Sequence, residues 1–220
     1  MSGTQRTPVV PLEAGAGPEN PPCPACGEPL FGWVDARPGL AGPVSRCESC
    51  GLGVVDAPGD PEAALHELLD ASAVPFPSYT GERNSGSVVI ANRAGFSAWI
   101  GGAGWAGLQP GSRYLFTPEA ARRLVARRDQ VVRSARWAPV AGIATMWQTI
   151  LNGFTFGRNV ALGALGRAQA VPAEQPWQRR LDTLIAVVVA IPALLAALPL
   201  ELIAAALRRG GAVTLKFELL

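Results

Sequence analysis

All four cysteines of this 220-residue chain lie in two CxxC pairs. The pairs are Cys23 with Cys26 and Cys47 with Cys50, and twenty residues separate Cys26 from Cys47. A CxxC pair places two thiolates on one tight turn, and two such turns facing each other supply the four soft ligands that tetrahedral zinc prefers. This spacing is typical of a zinc ribbon. We therefore predict that these four cysteines bind a zinc ion.

The predicted site is structural rather than catalytic, because four thiolates leave no open coordination position on zinc. Residues 23–55 are too few to bury an adequate core alone, so metal binding and folding are expected to be one event. Two disulfides are the alternative, but they need an oxidising compartment. The first twenty residues lack the charged start and apolar stretch of a secretory signal. We therefore expect zinc and a cytoplasmic protein.

Charge is distributed unevenly along the chain. Residues 1–80 carry ten acidic and three basic side chains, a net charge of −7, whereas residues 81–180 carry four acidic and thirteen basic ones, a net charge of +9. The basic segment is suited to anionic lipid or to the acidic first segment. Zinc ribbons often bind nucleic acids. This ribbon, however, lies in the acidic segment 1–80, whose negative charge repels the phosphates of a nucleic acid. We therefore expect a protein or membrane partner rather than a nucleic acid.

The first part of the chain divides into three segments. Residues 1–22 are rich in Gly, Pro and small side chains and are expected to form a disordered tail. The zinc ribbon follows at 23–55, with short strands over 30–34 and 53–55. Residues 60–86 are predicted to form a helix and a linker, since Asp60 and Pro61 are a typical helix start and several Pro and Gly follow position 71. The single histidine, His66, is expected to face solvent on that helix.

Residues 87–220 are predicted to form a small mixed domain, which makes the fold class α+β. Strands are expected at 87–91, 130–137 and 212–219 from their apolar or alternating patterns. Thr117 and Pro118 are typical of a helix start. A second helix is expected over 143–156, where apolar side chains form one helical stripe.

The apolar segment 183–207 contains one charged residue, Glu201. The uncharged stretch 183–200 spans about 27 Å as a helix, just short of a hydrocarbon core of roughly 30 Å. Pro192 and Pro199 each remove a backbone donor, and arginine pairs lie at both ends. These features favour an apolar helical hairpin or an in-plane segment that contacts the membrane peripherally. A helix pair packed against the rest of the protein is the alternative, and the sequence does not separate the two.

Gly102, Gly104 and Gly107 form a GxGxxG pattern. In a dinucleotide site that pattern follows a strand directly and opens a helix. Here the preceding residues lie well past the predicted strand at 87–91, and a turn containing Pro110 follows. We therefore do not expect a nucleotide site at these glycines.

The string SVVIANRAG…AWIGGAGWAGL…RYLFTPEAARRLVARR resembles the later part of bacterial class I S-adenosylmethionine-dependent methyltransferases that carry an N-terminal zinc ribbon. The matching residues are Ser87 to Ala91, Asn92, Gly104 with Trp105, and Phe116 to Glu119. With the ribbon, the likeness covers about half the chain. It implies that residues 87–220 form the C-terminal half of a Rossmann-like methyltransferase domain.

The cofactor-binding half of such a domain is missing here. These enzymes bind S-adenosylmethionine at a glycine-rich turn after their first strand, before the region that matches. Only about thirty residues separate Val55 from Ser87, too few for several βα units. No catalytic or cofactor-binding residue is therefore assigned from the resemblance, and S-adenosylmethionine binding is not expected.

Three functions follow from these observations. The first is a non-catalytic zinc-ribbon protein related to methyltransferases, which acts as an interaction or membrane-associated accessory protein on the cytoplasmic side. The second is a methyltransferase whose cofactor site is completed by a partner chain, and the third is a nucleic-acid-binding ribbon. Hydrolase chemistry has little support. The chain contains neither a GxSxG nor an HExxH motif, and it has a single histidine that could serve as a catalytic base. We favour the first.

Overall fold

The computed structural model describes residues 20–36, 40–56, 59–70, 80–82 and 85–219. Most of the predicted tail, residues 1–19, lies outside the described residues, as does the 71–79 part of the predicted linker. The described chain is mixed α and β, with two four-stranded sheets and six α-helices.

The first sheet holds the ribbon strands β1 (Leu30–Val34), β2 (Val44–Cys47) and β3 (Gly53–Val55). Its fourth strand is β6 (Tyr114–Leu115), and the order is β1-β2-β3-β6 with all pairs antiparallel. The predicted strands β1 and β3 are confirmed. Strand β6, from the part of the chain after the ribbon, is thus the fourth strand of the ribbon sheet.

The second sheet has the strand order β4-β5-β8-β7, again antiparallel throughout. Its strands are β4 (Thr80–Glu82), β5 (Ser85–Ala91), β7 (Gln130–Trp137) and β8 (Ala212–Leu219). The three strands predicted after residue 87 are confirmed. Residues 80–82 were predicted as linker, which is wrong, because this short polar segment pairs with β5. A doubly wound sheet is mostly parallel, whereas this one is not, and the methyltransferase resemblance stays a prediction.

Six helices lie between the strands of the described chain. They are α1 (Pro61–Asp70), α2 (Phe96–Gly101), α3 (Pro118–Val125), α4 (Pro139–Asn152), α5 (Val160–Ala164) and α6 (Pro176–Ala206). The predicted caps are confirmed: the Asp60 carboxylate accepts bonds from the N–H groups of Glu62 and Ala63, and Thr117 Oγ1 accepts one from Ala120 N at 3.0 Å. Helix α4 begins four residues before the predicted start.

The apolar segment 183–207 was predicted to form a hairpin, which is wrong. The chain from Pro176 to Ala206 is one helix of 31 residues, with Pro192 and Pro199 inside it. A proline removes one helical hydrogen bond but does not supply a turn. Between positions 183 and 207 there is no Gly, Asn, Asp or Ser to form one, whereas Leu and Ala favour continuation of the helix.

The ribbon shares its hydrophobic core with the second sheet. Buried side chains from the ribbon, α1, α3 and strands β5 and β8 form one cluster that includes Cys47, Leu52, Leu65, Leu124 and Leu215. The cysteine cluster is therefore packed against the rest of the protein.

Candidate metal centre and exposed apolar helix

The structure brings the four predicted ligands together. The sulfur atoms of Cys23, Cys26, Cys47 and Cys50 all lie within 4.8 Å of one another. The Cys23 and Cys50 sulfurs are 3.5 Å apart, and those of Cys26 and Cys47 are 3.4 Å apart. The cysteines are free rather than joined by disulfides. A tetrahedron with Zn–S bonds of about 2.3 Å has edges of roughly 3.8 Å, so one four-coordinate ion fits between these sulfurs.

The two CxxC turns have the same backbone hydrogen-bond pattern. The N–H groups of Cys23 and Cys47 donate to the carbonyl five residues further on, at 2.7 and 2.8 Å. Gly27 N–H donates to the Cys23 carbonyl at 2.8 Å, and Gly51 N–H donates to the Cys47 carbonyl at 3.0 Å. Both glycines have a positive φ, +80° and +75°. Glycine adopts this conformation without a steric penalty, which explains why one follows each pair.

The close sulfurs influence each other's acidity. The hydrogen bond with Cys50 lowers the pKa of Cys23 to about 5, and the same contact raises the pKa of Cys50. Burial raises the pKa of Cys26. A metal ion between the four sulfurs would supply the positive charge that allows all four cysteines to deprotonate.

Helix α3 holds the second CxxC turn in place. Thr117 is buried and donates a hydrogen bond of 2.5 Å from its hydroxyl to the Cys50 carbonyl. The same oxygen caps α3 by accepting the bond from Ala120 N. A Cβ on Gly51 would lie 2.8 Å from Thr117 Cγ2. The cap of α3 and the second CxxC turn are therefore packed as one unit.

The GxGxxG residues do not have the surroundings of a phosphate loop. Gly102 to Gly104 form a 3-10 turn directly after helix α2, and no strand leads into them. The side chain of His66 is exposed on α1, as predicted. Neither feature joins the cysteine cluster.

Helix α6 exposes a continuous row of large apolar side chains. We call this row the outer face of α6, and its members are 54–70 % exposed: Leu184, Val187, Val188, Ile191, Leu195 and Leu202. Their spacing of three, four and seven residues places them on one side of the helix. In the described part of the chain, α6 is the one helix long and apolar enough to cross a membrane, judged by length and composition alone, and 11 % of its most apolar window is buried.

The opposite side of α6 packs on the protein through small residues and two carboxylates. Ala193, Ala197 and Ala204 are buried there. Asp182 near the start and Glu201 near the end are also buried. Sequence reasoning missed these two contacts. The available signal was that they are the only charged residues between positions 181 and 207.

Both carboxylates accept hydrogen bonds from the surrounding protein. Asp182 accepts bonds from the N–H groups of Phe156 and Gly157 at 2.7 and 2.8 Å. Glu201 accepts bonds from Gly211 N–H at 2.6 Å and Trp137 Nε1 at 2.9 Å. Burial raises the pKa of Glu201. Helix α6 is therefore attached to the protein at both ends of one side.

Comparison of the chain with protein-family models, with curated proteins and with solved structures gives no significant match.

Proposed function

We propose that this protein is a non-catalytic accessory protein with a structural zinc ion at its four cysteines, and that it binds the cytoplasmic face of a membrane peripherally through α6. The observation that supports the membrane contact is the outer face of α6. Soluble monomers rarely leave such a large apolar patch in water. A row of Leu, Val and Ile side chains that are each more than half exposed is suited to the boundary between headgroups and acyl chains.

The expected gain from this contact is large enough for binding. Complete burial of a Val, Leu or Ile side chain is worth about 1.5–3 kcal/mol. The six residues of the outer face are more than half exposed, so their transfer into lipid would contribute on the order of 5–10 kcal/mol. That is comparable to the contribution of a single myristoyl chain, which gives marginal, reversible binding.

The attachment of α6 favours an in-plane helix rather than a membrane crossing. Asp182 and Glu201 are nineteen residues apart, or about 28 Å along the helix, and both are held on the protein side. Strand β8 then returns to the middle of the second sheet, where Val213 lies opposite both Ile90 and Trp137. The two ends of α6 thus belong to one folded unit on one side of the bilayer.

Exposed cations lie at both ends of the outer face. Arg179 and Arg180 are exposed near the start of α6, and Arg208 and Arg209 are exposed just after its end. Near an anionic membrane surface each basic side chain contributes roughly 1 kcal/mol. At the first end, Phe156 and Trp177 form an edge-to-face aromatic pair with centroids 5.6 Å apart, and tryptophan side chains favour the headgroup region.

The relation to methyltransferases is part of this proposal as an origin for the chain, not as an activity. A titration of zinc-loaded protein with S-adenosylmethionine tests it. Saturable micromolar binding would contradict the non-catalytic assignment. If millimolar S-adenosylmethionine gives no binding signal, the protein is not a self-contained methyltransferase.

Vesicle flotation tests the membrane contact directly. Full-length, zinc-loaded protein should float with vesicles of phosphatidylcholine and phosphatidylglycerol in equal parts. Ile191→Asp, at the centre of the outer face, should lower the affinity at least tenfold. A wild-type protein that stays in the soluble fraction would overturn the proposal.

Phe31→Asp is the matched control. Phe31 is also an exposed large apolar residue, but it lies on β1 of the ribbon sheet, and the substitution changes the net charge equally. It should leave flotation unchanged. Equal losses in the two variants would show that charge, rather than the outer face of α6, governs binding.

A further inference from the structure

A pocket of ≈ 410 Å³ lies at the C-terminal end of α6. Its walls come from the start of α3, the end of β7 and the residues that follow α6. The residues that matter here are Asn92, Pro118, Arg122, Trp137, Ala205 and Arg208. The pocket therefore opens between the basic helix α3 and the end of the apolar helix.

The lining of this pocket carries positive charge without a carboxylate. Arg122 and Arg208 are its two charged residues. Arg122 Nη1 lies 3.4 Å from Glu119 Oε2, but that carboxylate makes its shorter contact, 3.0 Å, with Arg123 Nε. Among the described residues no carboxylate lies within ion-pair distance of Arg208. An anion can therefore bind here without breaking a strong ion pair.

Arg208 occupies a backbone position that normally selects glycine. Its φ is +58°, and it follows α6 in a Schellman motif: Arg209 N–H donates to the Ala204 carbonyl at 2.7 Å, and Arg208 N–H donates to the Ala205 carbonyl at 2.9 Å. The residue at this point of the motif is usually Gly, because a side chain is strained there. The chain has glycine two and three positions later, at 210 and 211, but an arginine in the strained position.

The apolar surroundings of the pocket fit a lipid better than a soluble anion. Ala205 lines it, and the neighbouring Leu202, Ile203 and Leu207 are 54 %, 58 % and 68 % exposed. A phosphate bound between two guanidinium groups would be held by charge-assisted hydrogen bonds. The acyl chains of the same molecule would then continue along the outer face of α6.

We propose that this pocket binds the phosphate of an anionic glycerophospholipid through Arg122 and Arg208. The proposal deepens the membrane function above and rests on it for its biological setting. Lipid binding in the pocket is nevertheless a separate property, because a lipid headgroup can enter it without a bilayer.

Two measurements separate the pocket from membrane binding in general. The first is calorimetry of the full-length protein with a short-chain phosphatidylglycerol below its micelle concentration. Saturable binding is expected, with at least a tenfold loss in Arg208→Gly and in Arg122→Gln. Arg208→Gly relieves the backbone strain, so loss of binding there cannot come from unfolding. Arg127→Gln is the matched control, since Arg127 is exposed but does not line the pocket, and it should bind normally.

The second measurement is flotation with phosphatidylcholine vesicles with and without phosphatidylglycerol. Arg208→Gly should lose affinity for the anionic vesicles and bind neutral ones like the wild type. Failure of all vesicle binding with intact short-chain lipid binding would overturn the membrane function but not the pocket. Equal binding of inorganic phosphate, or unchanged short-chain binding in Arg208→Gly, would overturn the pocket assignment.

Discussion

Trp137 Nε1 donates a hydrogen bond of 2.9 Å to Glu201 Oε1, which joins the end of strand β7 to the end of helix α6 across 64 residues of sequence. Gly142 permits this approach, because a Cβ there would lie 2.4 Å from Glu201 Oε1. The Glu201 side chain is fully buried, so this hydrogen bond holds α6 in place without competition from water.

Removal of the Glu201 side chain should destabilise the protein strongly. Glu201→Ala leaves the Trp137 indole N–H and the Gly211 N–H buried without acceptors, each at a cost of about 1–3 kcal/mol. We expect the free energy of unfolding to fall by roughly 2–5 kcal/mol in urea titrations. A loss under 1 kcal/mol would show that Glu201 does not anchor α6.

Glu201 should also give the protein a specific pH dependence. Burial raises its pKa above the usual 4.5, so the folded state holds this proton at a pH where the unfolded state has released it. The contribution of Glu201 to the free energy of unfolding is therefore fully present below about pH 4.5. It is lost as the pH rises through the raised pKa. Glu201→Gln cannot titrate and should lack this decline. Melting temperatures of the two proteins between pH 4 and 8 test this, and parallel curves would contradict it.

Metal removal should affect more than the ribbon. Cys47→Ser removes one of the four ligands, so bound zinc should fall well below one ion per chain. Because Cys47 shares a core with Leu65 and Leu215, we expect hydrogen exchange to rise in α1 and β8 as well as in the ribbon. Ser49→Ala, between the two cysteines of the same turn, is the control and should keep the zinc content. Normal zinc content in Cys47→Ser would rule out the site.

The two glycines that follow the CxxC pairs provide a matched test of local packing. Both have a positive φ, so alanine at either position should cost about 1 kcal/mol through backbone strain. A Cβ at Gly27 has nothing within 4 Å, whereas one at Gly51 would lie 2.8 Å from Thr117 Cγ2. Gly51→Ala should therefore cost at least about 1 kcal/mol more than Gly27→Ala in denaturant titrations. Equal losses would contradict the close packing of the second CxxC turn against α3.

The strands and helix starts that the sequence predicts correctly are those whose residue patterns lie within the element itself. Strands β1, β3, β5, β7 and β8 follow from apolar or alternating patterns, and the starts of α1 and α3 follow from their caps. Strand β2, with the sequence VSRC, has no such pattern, and β6 has two residues. Both exist through pairing with distant strands, which a local pattern cannot show.

The cluster of four cysteines was predictable for the same reason, since two CxxC pairs encode their own turns. The buried side of α6 was not. The partners of Glu201 lie 10 and 64 residues away, and the hydropathy of the segment conceals which side is buried. Each proline predicts a break by its local cost, whereas the neighbouring Leu and Ala residues favour a continuous helix.

The internal prolines of α6 allow a direct test that this segment is one helix. Pro192 lacks an N–H, so the Val188 carbonyl has no helical donor one turn later. In a continuous helix, Pro192→Ala restores that bond and should raise the free energy of unfolding by on the order of 1–3 kcal/mol. Pro176→Ala is the control, because Pro176 is the first residue of α6, where proline removes no helical bond, and its effect should stay within about 0.5 kcal/mol. If the segment instead turned at Pro192, alanine would favour helix over the turn and lower the stability. A loss of stability in Pro192→Ala would therefore support the hairpin prediction. It would also contradict the continuous outer face of α6 on which membrane binding depends.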